Sequence, residues 1–117
     1  MILTGKCKEK FEKWYFENHC SSNIKFEDLL PYHIYDVFGW LYKQSLTIQN
    51  ALIIEFFDSI GVYIEIHYSS FLGNRFICIV NTNENHKVTS FQNNRHQAIK
   101  KAIKKANDLY NSRYENV

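Results

Sequence analysis

Apolar residues in the first twenty positions recur at intervals of three and four, with Cys7, Phe11, Trp14 and Tyr15 sharing one side with Asn18. That period predicts an amphipathic helix beginning at Gly5 or Lys6, with Thr4 as its cap. The turn-rich "NHCSSN" closes it, and Pro31 suits the first position of a second helix whose stripe is Ile34, Val37, Phe38 and Leu41. Gly39 interrupts that stripe at a cost of about 1 kcal/mol relative to Ala. A third helix is predicted from Thr47 as N-cap to a stop at Gly61, where a left-handed residue fits. With Ile48, Leu52 and Phe56 on one side and Ile53, Ile54 and Phe57 on the other, it is apolar nearly all round. It is therefore expected to be the most buried helix, or to meet a partner.

At Val62 the period drops to two. In "VYIEIHY" Val62, Ile64, Ile66 and Tyr68 point one way while Tyr63, Glu65 and His67 point the other, the alternation of a half-buried antiparallel strand. "SSFLGN" is a turn, "RFICIVN" a second and more central strand, and "KVTSF" a third. A last helix opens with Asn94 as N-cap and Gln97 three residues on. The predicted architecture is α+β: N-terminal helices, a three-stranded antiparallel meander, and a C-terminal amphipathic helix packed on the sheet. The whole of 1–117 is expected to form one domain, with 1–46 as an N-terminal helical part and 47–117 as helix, three strands and helix.

Composition supports a folded domain without naming its partner. Apolar residues make up 45% and aromatics 16%, enough burial to offset the entropy of folding. The net charge of +2 gives no strong overall field, so an electrostatic partner has to be read from local clusters. No run of about 18 uncharged apolar residues occurs, and "MILTGKCKEK" turns charged before a signal-peptide core can form. A cytoplasmic protein with no membrane contact is expected. Cys7, Cys20 and Cys78 are widely spaced and lack a C-x-x-C pair, which suggests reduced thiols rather than disulfides or a zinc site.

The strongest local cluster is "NRHQAIKKAIKKANDLYN". At 100° per residue Ile99, Ala102, Ile103, Ala106, Leu109 and Tyr110 share one face, with Lys100, Lys101, Lys104 and Lys105 opposite. The stripe is core, and burying Ile99, Ile103 and Leu109 stabilises by about 1.5–3 kcal/mol each. The lysines are either a solvated face or a phosphate-binding one. Catalytic patterns are thin. Glu65 and His67 sit side by side on an exposed strand face, Cys20 and His19 point to different sides of a helix, and no P-loop, dinucleotide-binding or nucleophile-elbow motif occurs. No enzyme, cofactor or small-molecule substrate is expected.

The order helix, three strands, helix over about residues 47–111 resembles the double-stranded RNA-binding domain, a module that reads RNA shape. That family's final helix opens on a K-K-x-A-K signature; the corresponding residues are Arg95, His96, Gln97, Ala98 and Ile99, with the third basic position apolar. The family's G-P-x-H loop is replaced by "SSFLGNR", which offers Arg75. Separately, "TGKCKEKFEKWYF", "EFFDSIGVYI" and "NRHQAIKKAIKKANDLYN" resemble a family of short phage-encoded proteins in which T-G-K-x-K-E-x-F-E-x-W, F-F-D-S-x-G and A-I-x-K-A-N-x-x-Y-N recur. That family brings no activity of its own, but small phage proteins without catalytic motifs are often inhibitors of host defence, and this chain resembles an anti-CRISPR protein of the kind acting on the RNA-guided RNA nuclease of type VI-B systems. The resemblance implies a non-enzymatic inhibitor in the host cytoplasm that binds a host protein or ribonucleoprotein, here a CRISPR effector with its guide RNA. RNA contact would run through Arg75, Arg95, Lys100, Lys101, Lys104 and Lys105. An RNA-binding module and a structural or assembly protein stay open beside it.

Overall fold

In the computed structural model the described residues are 1–20, 22–71, 73–83, 86–88 and 91–114, with the side chains of 86–88 and 114 outside the description. Helix α1 is Gly5–His19, a short 3-10 turn spans Phe26–Asp28, and α2 is Pro31–Lys43. Helix α3 is Leu46–Ser59, strands β1 and β2 are Tyr63–Ser69 and Arg75–Asn81, β3 is His86–Val88, and α4 is Arg95–Tyr114.

Local chemistry sets most of these boundaries. Pro31 occupies the first turn of α2, where its missing N–H costs nothing. Asn94 Oδ1 accepts the Gln97 N–H at 2.9 Å and starts α4, while Gly61 at φ +80 ends α3 in the left-handed conformation. The predicted cap of α3 is corrected: Ser45, not Thr47, takes that place, accepting the Ile48 N–H at 3.4 Å. The reason lies in the buried Gln49, whose amide donates to the Gln44 carbonyl at 2.9 Å and so ties the end of α2 to the first turn of α3.

The α+β class holds, and the meander holds in part. Strands β1 and β2 form a full antiparallel ladder from Tyr63 opposite Asn81 to Ser69 opposite Arg75. Beyond β2 only the short β3 pairs, over Asn81–His86, Val80–Lys87 and Ile79–Val88. Of the predicted strand "KVTSF", Thr89 and Ser90 lie outside the described residues, and Gln92 rejoins β2 through paired hydrogen bonds with Phe76.

Because side chains alternate, Ile64, Ile66, Phe76, Cys78 and Val80 share one sheet face and pack into the core with Phe56 and Phe57 of α3 and Ala98, Ala102, Ile103 and Ala106 of α4. Helix α1 lays Cys7, Phe11, Tyr15 and Phe16 into the same core. The protein measures 51 × 33 × 18 Å. A thickness of 18 Å is about one sheet and one helix layer, so among the described residues the opposite sheet face, with Glu65 and His67, carries no helix.

The ends of the chain are stitched together by polar groups. Asn107 Oδ1 accepts the Thr4 N–H at 3.0 Å and its amide donates to Thr4 Oγ1 at 3.1 Å. One turn on, Asn111 Oδ1 accepts the Cys7 N–H at 2.9 Å and its amide donates to the Thr4 carbonyl at 3.0 Å. Thr4 precedes α1 but makes no side-chain cap bond within it, so α4 supplies a cap from across the fold.

Candidate interaction surfaces

Lys100, Lys101, Lys104 and Lys105 are all exposed, and their spacing sets them within an arc of about 140° on the outer side of α4. Among the described residues none of the four forms an ion pair. Gln97 and Asp108 fall inside the same arc, and Asp108 dilutes its charge.

The two arginines do not join this face. Arg95 lays its guanidinium over the Phe76 ring at 5.2 Å, on the sheet face that meets the helices. Arg75 stands opposite Ser69, in the register of Glu65 and His67, and therefore belongs to the uncovered sheet face. The six basic residues thus occupy three places. Of the positions aligned with the K-K-x-A-K signature, His96 and Gln97 are exposed, whereas Ala98 is fully buried and its carbonyl accepts the Cys78 thiol.

A second surface is apolar. Helix α2 buries only Phe38 and Leu41 and exposes Tyr32, Ile34, Tyr35, Trp40 and Tyr42, with Tyr35 77% exposed. Its stripe was expected to run through Ile34; the structure leaves Ile34 out. Leu46 at the start of α3 is 63% exposed, so α3 is not buried all round either. Two shallow grooves flank α2. One of about 440 Å³ runs between Trp40, Tyr15, His19, Ile48 and Leu52. The other, about 310 Å³, is lined by Ile34, Tyr35, Phe38, Gly39 and Tyr42, and a Cβ on Gly39 would meet nothing within 4 Å.

Comparison with protein-family models, curated proteins and solved structures finds no match. Function therefore has to be argued from these surfaces.

The shifted titratable groups owe their shifts to burial and to single hydrogen-bonded partners. Burial pushes the Cys7 thiol up to about 12, and burial raises Cys20 as well. Burial, helped by the hydrogen bond that Tyr42 Oη donates to Glu12, also holds the Tyr42 phenol well above its ordinary range. Lys13 and Glu27 meet at 2.6 Å; their hydrogen bond raises the lysine and lowers the carboxylate. His19 meets Glu55 at 3.4 Å across α1 and α3, and His67 meets Glu65 at 3.4 Å on the open sheet face. Among the described residues no three His, Cys, Asp or Glu side chains come together, and no helix is long and apolar enough to cross a membrane.

Proposed function

We propose that this protein acts by binding, without catalysis, as an inhibitor that docks on a protein or ribonucleoprotein. The observation that carries this reading is α2, a helix that fully buries two side chains and leaves five large apolar or aromatic ones exposed. Contiguous exposed aromatics mark interaction sites, and Tyr and Trp anchor interfaces at low entropic cost. The resemblance to phage-encoded inhibitors supplies the partner class: an RNA-guided nuclease with its guide RNA, encountered in the host cytoplasm. The lysines of α4, exposed and without an ion pair among the described residues, suit the guide RNA or an acidic RNA-holding groove as a second, electrostatic contact.

The test is a pull-down of the nuclease complex by the tagged protein, with and without RNase, for the wild type, Tyr35→Ala/Trp40→Ala, and the variant with all four α4 lysines changed to Glu. Retention after RNase, lost in the aromatic variant, supports the reading. Retention by both variants sinks it.

The exposed, unpaired lysine face also favours a second reading, an RNA-binding module with the helix–strands–helix order of the double-stranded RNA-binding domain. It requires that free duplex RNA bind the protein directly, with affinity falling steeply as salt rises. Capture that disappears with RNase, together with such binding, selects this reading over the first.

A further inference from the structure

Strand β1 lies at the edge of the sheet and is hydrogen-bonded on one side only, to β2. The parity of that ladder fixes which groups face outward. Phe76 exchanges both of its backbone bonds with Gln92, on the side of β2 away from β1, at 2.8 and 2.9 Å. The residues of β2 that bond to β1 are therefore the odd ones, and the bonded pairs are Tyr63–Asn81, Glu65–Ile79, His67–Ile77 and Ser69–Arg75. On β1 the N–H and C=O groups left pointing to the open edge are those of Ile64, Ile66 and Tyr68. Among the described residues these groups make no backbone bond elsewhere.

Proteins ordinarily guard an edge of this length with Pro, Lys, a bulge or an inward charge. Strand β1 has none of them. Its seven residues run without a bulge, its charged side chains point outward, and it contains neither Pro nor Lys. The apolar layer beneath is also open here. Cys78 and Val80 of β2 are fully buried, whereas their neighbours Ile66 and Ile64 are only half-buried and Tyr68 is 57% exposed.

We propose that this edge pairs with the same edge of a second copy, joining two sheets into one through an antiparallel β1–β1 contact centred on Ile66. Three features of the strand select this occupant and register. A two-fold axis through Ile66 overlaps all seven residues, Tyr63 against Ser69 and Ile64 against Tyr68 of the other copy. Like faces meet like, so the half-open apolar layers join, and the facing pairs Ile64–Tyr68, Ile66–Ile66 and Tyr68–Ile64 each exchange two backbone bonds, about six in all. On the uncovered face Glu65 stands opposite His67 of the other copy, twice. With the 3.4 Å contact already present within each strand, this makes an alternating ring of two carboxylates and two imidazoles. Sliding the register by two residues would set Glu65 against Glu65 or His67 against His67, which disfavours both neighbouring registers.

The prediction is tested by light scattering after size exclusion, and by sedimentation equilibrium, on the wild type, His67→Glu, Glu65→His, and the double exchange Glu65→His/His67→Glu. Both side chains are exposed and on no core face, so the variants keep the fold; far-UV circular dichroism checks this. The wild type should have a mass of about 28 kDa, twice the chain's 14.0 kDa, at ~100 µM. His67→Glu places like charges opposite one another and should weaken association by about tenfold or more. The double exchange restores opposite charges in the same register and should recover the dimer. A wild type that stays monomeric at that concentration overturns the proposal. So does a dimer indifferent to His67→Glu, or one that the double exchange fails to rescue, because either places the contact elsewhere.

Discussion

The asparagine clamp between α4 and the start of α1 gives the sharpest test of the packing. Asn107 is 3% exposed and makes two hydrogen bonds to Thr4, one accepting from its N–H and one donating to its hydroxyl. Each such bond contributes about 1 kcal/mol net, and Asn107→Ala also leaves the part-buried Thr4 N–H without a partner, so the loss should be about 2–3 kcal/mol. Asn111→Ala removes the acceptor for the Cys7 N–H and should cost about 1–2 kcal/mol, comparable to losing an N-cap. Against a total of about 5–15 kcal/mol these losses move a urea midpoint visibly. Trp14 in α1 provides the fluorescence signal, with circular dichroism as the second probe.

Asn111→Asp separates capping from packing. It keeps an acceptor for the Cys7 N–H and brings a negative charge to the first turn of α1, which has no acidic residue of its own, but it turns the donor to the Thr4 carbonyl into an oxygen facing it, so a cost below that of Asn111→Ala would show that capping outweighs that lost bond. Because both asparagines act on Thr4, their losses should not add, and the double alanine variant should fall short of the sum. A loss below about 0.5 kcal/mol for Asn107→Ala would refute the clamp, since it would mean that the two hydrogen bonds of this buried side chain contribute nothing net.

Other outcomes follow from the same geometry. Ile103 is fully buried between α4 and the sheet, so Ile103→Ala should cost about 2–5 kcal/mol in denaturant melts. Gly39→Ala should stabilise by about 0.5–1 kcal/mol, since an added methyl meets no atom and helix propensity improves; if the groove beside it seats a partner, binding in the pull-down should weaken while stability rises. The four-lysine Glu variant should stay folded and melt within about 2 kcal/mol of the wild type, because those side chains are exposed and, among the described residues, unpaired. Cys7 stays a thiol in the fold up to about pH 12, whereas in the unfolded chain it ionises near 8.5. Its contribution is therefore whole below about pH 8.5 and is lost as pH rises toward 12, a decline that Cys7→Ala should flatten in alkaline melts.

What could be read in the sequence was what is local. The caps at Pro31, Asn94 and Gly61, the alternation of β1 and β2 and the stripe of α4 depend on residues within one turn or one strand of each other, where period and side-chain type suffice. The misses are of three other kinds. Ser45 and Thr47 stand two residues apart as equivalent cap candidates, and only the buried Gln49 decides between them. Arg75 and Arg95 look like neighbours of the lysines in charge, but pleat parity and the contact with Phe76 send them to opposite faces of the sheet. Asn107 and Asn111 lie about 100 residues from their partners in a helix whose apolar period is already accounted for, so nothing nearby marks them.

The conflict between sequence and fold is concentrated in α2, and its anchoring is uneven. Before it, Phe26 and Leu29 reach the core; in its second half Phe38 and Leu41 are buried, the Phe38 and Tyr15 rings lie 5.9 Å apart, and Tyr42 bonds Glu12 beneath Lys8. Between these anchors Tyr32, Ile34, Tyr35 and Asp36 arch over open solvent. A helix selected only for stability would carry polar residues on that arch, because Tyr and Ile there gain no burial and have weaker helix propensity than Lys, Glu or Gln. Places where local choices oppose the fold are where function is expected. The arch is held at both ends, so its backbone needs little reordering, and a partner seated there would gain the apolar area of side chains that have few rotatable bonds. If the proposed docking holds, Tyr32 and Tyr35 on the arch, with Trp40 beyond it, would carry most of the binding energy and the lysines of α4 would set approach and salt dependence, the division of labour expected when an aromatic anchor and a charged rim meet one target.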